Sequence, residues 1–241
     1  MLSEKVSHIS NTGWLFDLEE ETSIKAVAGF VRTYFEEFAK KNKGLLDQNE
    51  TGITQKLCIF LNRNSQQFPF FFQPEYMEDT TKGNSPQVDI GTFSIDEKII
   101  VSDRLYGEED SFFSMEAKRL PTPGHNREKE YVIGHETECG GIERFKKSIH
   151  GNGLKYAAII AYVQGDSFDY WFMEINKWID ELAKDNGSIW KANDKLRGHI
   201  DKDRLFLVEL ISENARFKEG SQLENIYLFH FWINLIPDKN L

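Results

Sequence analysis

The stretch "SFFSMEAKRLP", residues 111–121, constrains this chain more than any other. It begins as an apolar run suited to a covered strand, then sets Glu116 and Lys118 two residues apart before Pro121 ends it. In a strand, residues i and i+2 point to one side, so the acid and the base share a face while Met115 and Ala117 take the other. Burying ionised groups inside a sheet is costly unless they are paired or bound to a metal. On an exposed edge strand the same two residues would be a surface ion pair of little energetic weight. Phe112, Phe113, Met115 and Leu120 around them favour a covered strand.

The flanking segments supply that cover. Residues 22–41 place Ile24, Val27, Ala28, Val31, Phe35 and Phe38 on one helical stripe, and residues 51–62 place Ile53, Leu57, Phe60 and Leu61 on another. Residues 73–86 are polar with Pro and Gly and read as an exposed loop. Residues 87–95, 98–105 and 111–120 then read as three strands of an antiparallel meander. Residues 121–131 are a loop, 140–151 a short helix, and 154–164, "LKYAAIIAYVQ", a strand buried on both faces. A long helix over 168–185 precedes late strands at 203–212 and 225–236. The order predicts an α/β fold with a mixed sheet flanked by helices. A single domain over 1–241 is expected, with a core at about 44–165, an extra N-terminal helix, and C-terminal helix and strands over about 166–241.

At 241 residues, 40% hydrophobic and 13% aromatic, the chain has ample core material. A net charge of −10 argues against a basic surface that coats nucleic acid indiscriminately. Segment 118–155 differs, with eight Lys and Arg against five Glu, and reads as a local phosphate-binding surface. Within it, Arg144 and Lys147 lie at helical i and i+3 and could face one groove, and "GG" at 140–141 could leave a helix N-terminus open to phosphate. Lys146 and Lys147 read equally well as a solvated helix face. Cys58 and Cys139 give no disulfide framework. "MLSEKVSHIS" carries no apolar signal run and no segment has the apolar length of a membrane span, so a cytoplasmic location and no membrane contact are expected. His135, Glu136, Glu138, Cys139 and His150 lack zinc-ligand spacing. His230 reads as a core or interface histidine, and the aromatic segment 226–233 as core or dimer interface. GxxxxGK[ST], GxGxxG and GxSxG motifs are missing, which counts against ATPase, dinucleotide and serine-hydrolase chemistry.

Asp89, in "PQVDIG", lies one strand or two from Glu116 and is followed by Gly91, which would permit a bend or close backbone approach. If their strands adjoin, Asp89, Glu116 and Lys118 converge. Two carboxylates offer hard oxygen ligands suited to Mg²⁺ or Mn²⁺, and the lysine could orient an attacking water or neutralise developing charge.

With "VD" at Asp89 and "EAK" at 116–118, in this order of elements, the chain resembles the PD-(D/E)XK superfamily of restriction-endonuclease-like nucleases. The resemblance implies a Mg²⁺-dependent endonuclease, with Mn²⁺ able to substitute. Asp89 and Glu116 would hold the metal, Glu50 would be a further ligand from the first core helix, and Lys118 would assist the water. It favours DNA over RNA as substrate and a role in restriction or antiphage defence. Arg119, His125, Arg144 and Lys147 are the expected nucleic-acid contacts, and a homodimer or a protein partner is possible. The competing expectation is a catalytically inactive module on the same fold, binding nucleic acid or a partner. A hydrolase of small phosphate esters is a third.

Overall fold

In the computed structural model, which describes residues 22–45, 48–79, 85–124, 126–135, 140–185, 187–201 and 203–237, strand β6 (Tyr156–Val163) is buried at every one of its 8 positions. A strand without a polar face needs cover on both sides. Its residues divide by parity: Tyr156, Ala158, Ile160 and Tyr162 enter one apolar core, and Ala157, Ile159, Ala161 and Val163 the other. The first core lies beneath helices α1 (Thr22–Lys41) and α2 (Glu50–Asn64), the second beneath α3 (Gly141–Lys146) and α4 (Phe168–Leu182). The result is an α/β layering about a mixed six-stranded sheet.

The sheet runs β1 (Phe70–Met77), β2 (Gln87–Ser94), β5 (Phe113–Leu120), β6, β8 (Ser221–Asn234), β7 (Leu207–Lys218). The pairs β1/β2, β2/β5 and β7/β8 are antiparallel, whereas β5/β6 and β6/β8 are parallel. All six apolar residues expected on the first helix are buried, each such side chain contributing roughly 1.5–3 kcal/mol relative to exposure. Arg32 fastens α1 to β7 through a forked pair with Glu209 at 2.5 and 2.9 Å. Ser167 caps α4, accepting from Tyr170 N at 3.1 Å, and Trp171, Ile175, Trp178 and Ile179 are its buried face. No helix among the described residues is long and apolar enough to cross a membrane.

Several sequence expectations are corrected. The supposed loop at 73–86 begins inside β1, whose Phe70 and Phe72 are buried while Asn62 caps both the N–H and C=O of Phe72 at 2.9 and 2.7 Å. As an edge strand it tolerates Pro74. The middle strand of the meander is not in the main sheet. Ser102 and Asp103 both take positive φ (51° and 62°), and that two-residue turn folds 98–107 into a separate hairpin, β3 (Lys98–Val101) with β4 (Arg104–Gly107). β2 therefore pairs directly with β5. The helix at 140–151 stops at Lys146, followed by Ser148 at φ 52°. The late strands are longer than expected because Glu219 and Gly220, also at positive φ, join them in a tight hairpin. Segment 226–233 is no interface: β8 lies between β6 and β7, with Leu228, Phe229, Phe231 and Trp232 buried.

Lys146, half expected on a solvated face, is fully buried. Its Nζ donates to Asp194 Oδ2 at 2.8 Å and to Ala215 O at 3.1 Å, and lies 5.2 Å from the Trp190 ring centre. Removing one partner of such a pair strands a buried charge. Asp194→Ala should lower unfolding free energy by about 3–5 kcal/mol, whereas Lys146→Met with Asp194→Leu should be near neutral. Denaturant titration checks both, and a single variant within about 1 kcal/mol of the parent would refute the role given to the pair.

Candidate functional site

Strand β5 is covered on the β2 side along only part of its length. Pairing with β2 takes in Phe113, Ser114 and Met115, whereas pairing with β6 runs from Met115 to Leu120. Beyond Met115 the edge facing β2 has lost its strand, and a buried N–H left there would cost about 1–3 kcal/mol. Two carboxylates replace the missing ladder. Asp89 Oδ2 accepts from Ala117 N at 2.7 Å, and Glu50 Oε2 accepts from Arg119 N at 3.1 Å. Asp89 comes from β2 just before its ladder with β5 begins. Glu50 opens α2, which Asn49 caps by accepting from Gly52 N at 2.8 Å.

Glu116 and Lys118 are buried, 1% and 4% exposed, and so do not form a surface pair. Lys118 Nζ donates to Glu116 Oε1 at 2.9 Å and stands 3.7 Å from Glu50 Oε1. Arg144 Nη1, from α3, donates to the same Glu116 oxygen at 2.9 Å. Glu116 Oε2 is buried with no hydrogen-bond donor, its neighbour being His150 Nε2 at 3.5 Å. Helix α3 can lie this close because Gly141 has no Cβ, which would sit 2.9 Å from Tyr131 O and 3.4 Å from Lys118 Cγ.

These contacts set the charge states. Burial, then repulsion from Glu116, holds the Asp89 carboxyl well above the usual range, against the pull of Lys118 and the Ala117 N–H. Burial also raises Glu50, with Lys118 opposing. Burial alone would raise Glu116, but the opposing field of Lys118, then of His150 and Arg144, leaves it lowered. Burial works against the charge on Lys118 too, yet Glu116, Glu50 and Asp89 outweigh it and raise its pKa. Lys118 thus supplies charge and does not accept a proton.

Of the residues expected from sequence, the structure brings together Asp89, Glu116, Lys118 and Glu50, and adds Arg144 through Glu116. Arg119 turns its Nε to Gln164 Oε1, which leaves only its backbone N–H at the site. Lys147 does not share a groove with Arg144: it pairs with Glu143 at 2.8 Å and borders a cleft of about 630 Å³ with Lys191 and Lys218. His125 lies outside the described residues. The open helix N-terminus at "GG" is overturned. The amides of Gly141, Ile142 and Glu143 donate to the carbonyls of Glu130, Tyr131 and Val132, and Gly140 abuts the Ile133 backbone. Gly91 serves packing, since a Cβ there would sit 2.9 Å from Phe93 and 3.1 Å from Tyr76.

Sequence reasoning missed Glu78 and passed over His150. Glu78 Oε1 accepts from Ser114 Oγ at 2.7 Å and its Oε2 from Gly151 N at 2.8 Å. His150 is fully buried, between Arg144 and Glu78. Glu78 sat in an expected loop and His150 beyond a helix taken as too long, so neither fell on a face that periodicity defines.

The donor set suits a hard cation. Glu116 has one oxygen engaged by two donors and one with none among the described residues, and Asp89 has one oxygen engaged by the Ala117 amide. Among the described residues no three His, Cys, Asp or Glu side chains form a ready-made cage. Mg²⁺ does not require one, as it keeps several waters and takes one or two carboxylates.

Because the folded-state pKa of Asp89 is raised, the preference of the fold for its neutral form is present at low pH and lost as pH rises through that pKa. Asp89→Asn, which retains an acceptor for Ala117 N, should therefore raise Tm above that pKa, by about 2–4 °C per kcal/mol. The gain should vanish below the ordinary carboxylate range. Melting curves in chelator across pH test this, and a variant no more stable at pH 8 would contradict it. Comparison of the chain with protein-family models, curated proteins and solved structures gives no match, so the site is read from its own geometry.

Proposed function

We propose that this protein is a metal-dependent nuclease that hydrolyses phosphodiester bonds in nucleic acid, DNA in preference to RNA. The observation that carries this reading is the meeting of Asp89, Glu116 and Lys118 where β2 and β5 part, with one oxygen of Glu116 buried and undonated. Side chains from separate strands are held there by backbone pairing, which gives the precision a reacting site needs.

Asp89 and Glu116 would hold Mg²⁺, with Mn²⁺ as a substitute and Glu50 beside them. When bound, the ion supplies Lewis-acid polarisation of a phosphoryl oxygen and a lowered pKa for a bound water. The remaining roles belong to the chain. Lys118, fixed in its charged form by three carboxylates, offsets negative charge as it develops on the phosphoryl oxygens. Arg144 holds Glu116 Oε1 and so leaves Oε2 available. Asp89 keeps its orientation through the Ala117 amide. A place in restriction or antiphage defence accords with such an activity.

A second reading is favoured by one observation: Lys118 and Arg144 already compensate Glu116. A central carboxylate whose charge is already matched suits an inactive module that binds nucleic acid or a protein partner.

Incubation of plasmid DNA, single-stranded DNA and RNA with Mg²⁺ or Mn²⁺ should give cleavage that chelator abolishes. Asp89→Ala and Lys118→Ala should cut at least about 100-fold more slowly while keeping the parental circular-dichroism spectrum. Equal behaviour of parent and variants, or DNA binding without any cutting, would reject the enzyme reading.

A further inference from the structure

Behind Glu116 lies a line of polar groups, the buried His150 between the half-buried Arg144 and Glu78, of which the proposed chemistry has used only Arg144. Arg144 Nη1 carries two hydrogens and has two acceptors in reach, Glu116 Oε1 at 2.9 Å and His150 Nε2 at 3.2 Å. A guanidinium always donates, so at 3.2 Å the imidazole Nε2 must be the acceptor, and the ring proton sits on Nδ1. That nitrogen has no hydrogen-bond partner among the described residues; Glu78 Oε2 stands 3.7 Å away, too far to accept from it, and acts on it through its charge, which favours the proton at Nδ1. Glu78 is itself fixed at both oxygens, by the Ser114 hydroxyl of β5 at 2.7 Å and the Gly151 amide at 2.8 Å. The order is therefore Glu78, His150, Arg144, Glu116, with hydrogen bonds joining His150 to Arg144 and Arg144 to Glu116, and only a charge contact between Glu78 and His150. His150 is fully buried and its ring packs edge-on against Phe145 at 6.0 Å.

Arg144 and Lys118 then both donate to Oε1 of Glu116. With His150 Nε2 already accepting, its 3.5 Å approach to Glu116 Oε2 brings no hydrogen, and Oε2 stays undonated. We infer that His150, its tautomer biased by the nearby Glu78 charge, is a positioning residue for Arg144 and through it for Glu116, determining which carboxylate oxygen is presented to the metal; this rests on the nuclease reading above. A residue that merely filled space would not need an acceptor atom at Nε2.

The test compares His150→Leu, which removes the acceptor, with His150→Gln, whose amide oxygen can restore it, and with Glu78→Gln. Calorimetry with Mn²⁺ alone and steady-state cleavage of DNA are the two readouts, with melting curves confirming the fold. His150→Leu should weaken Mn²⁺ binding and lower kcat, each by about 10- to 100-fold. KM for DNA should stay within about twofold, since the loss does not touch substrate binding. His150→Gln should recover most of both, and Glu78→Gln should shift both in the direction of the leucine variant. A folded His150→Leu with parental Mn²⁺ affinity and kcat overturns the inference, as does a glutamine variant no better than the leucine one. Should His150→Leu fail to fold, Glu78→Gln decides: parental values there overturn the inference. If the parent neither binds Mn²⁺ nor cuts, the nuclease reading falls and takes this inference with it, whereas a parent that does both isolates any failure to His150.

Discussion

A carboxylate buried in the middle of a sheet is the constraint around which this fold is arranged. Glu116 is 1% exposed on a strand whose other residues are buried except for the half-buried Arg119. Its charge requires cations that are themselves held in place. Lys118 is available at once, two residues along the same face. Arg144 must come from another element, so α3 has to lie against β5, and Gly141 lets it approach. The first-turn amides of α3 are then taken by carbonyls of 130–132, which fixes the segment leading away from β5. A single buried charge thus connects a strand, a turn and a helix that are distant in sequence.

The same side of the sheet holds a second buried polar group of opposite character. His230 on β8 receives no charged partner: its Nδ1 meets Tyr131 Oη at 2.7 Å and its Nε2 meets Ser212 Oγ at 2.8 Å, while Trp232 Nε1 donates to Tyr131 Oη at 3.0 Å. Burial pushes its pKa down to about 3, so it remains neutral at physiological pH. One cluster is neutral, and its unmet atom, Asn214 Oδ1, belongs to an uncharged amide. The other is charged, strained by Asp89 and Glu116 repelling each other, and incomplete at one oxygen. An unmet acceptor on a charged carboxylate that a second carboxylate repels marks a functional site more often than scaffolding.

Much of the layering was legible from sequence because it depends on local periodicity. The stripe from Ile24 to Phe38 and the unbroken apolar run of β6 each admit one burial pattern, and both formed as expected. That Asp89, Glu116 and Lys118 come together was also legible, since acids and a lysine flanked by apolar strand residues need a reason to be there. What failed depended on information outside the local window. A two-residue turn at Ser102–Asp103 removed one strand from the meander, and β2 took its place beside β5. Lys146 looked solvent-facing because its partner, Asp194, lies 48 residues away. Glu78 and His150 acquire meaning only when the turn after α3 and the end of β1 meet, a contact that no period encodes.

The two capping carboxylates also separate by geometry into unequal roles. Each gives one oxygen to a backbone amide of β5, so capping alone does not distinguish them. Their second oxygens do. The free oxygen of Glu50 faces Lys118 at 3.7 Å, so a cation there would compete with an ammonium already in place. For Asp89, burial and then repulsion from Glu116 hold the carboxyl well above the usual range, so added positive charge beside it would relieve both acids. A divalent ion would gain most between Asp89 and Glu116, where it relieves that repulsion and meets the undonated Oε2. In the proposed reaction Glu50 therefore serves chiefly to hold Lys118 charged and the β5 edge closed, and the burden of metal binding falls on the two acids that repel each other.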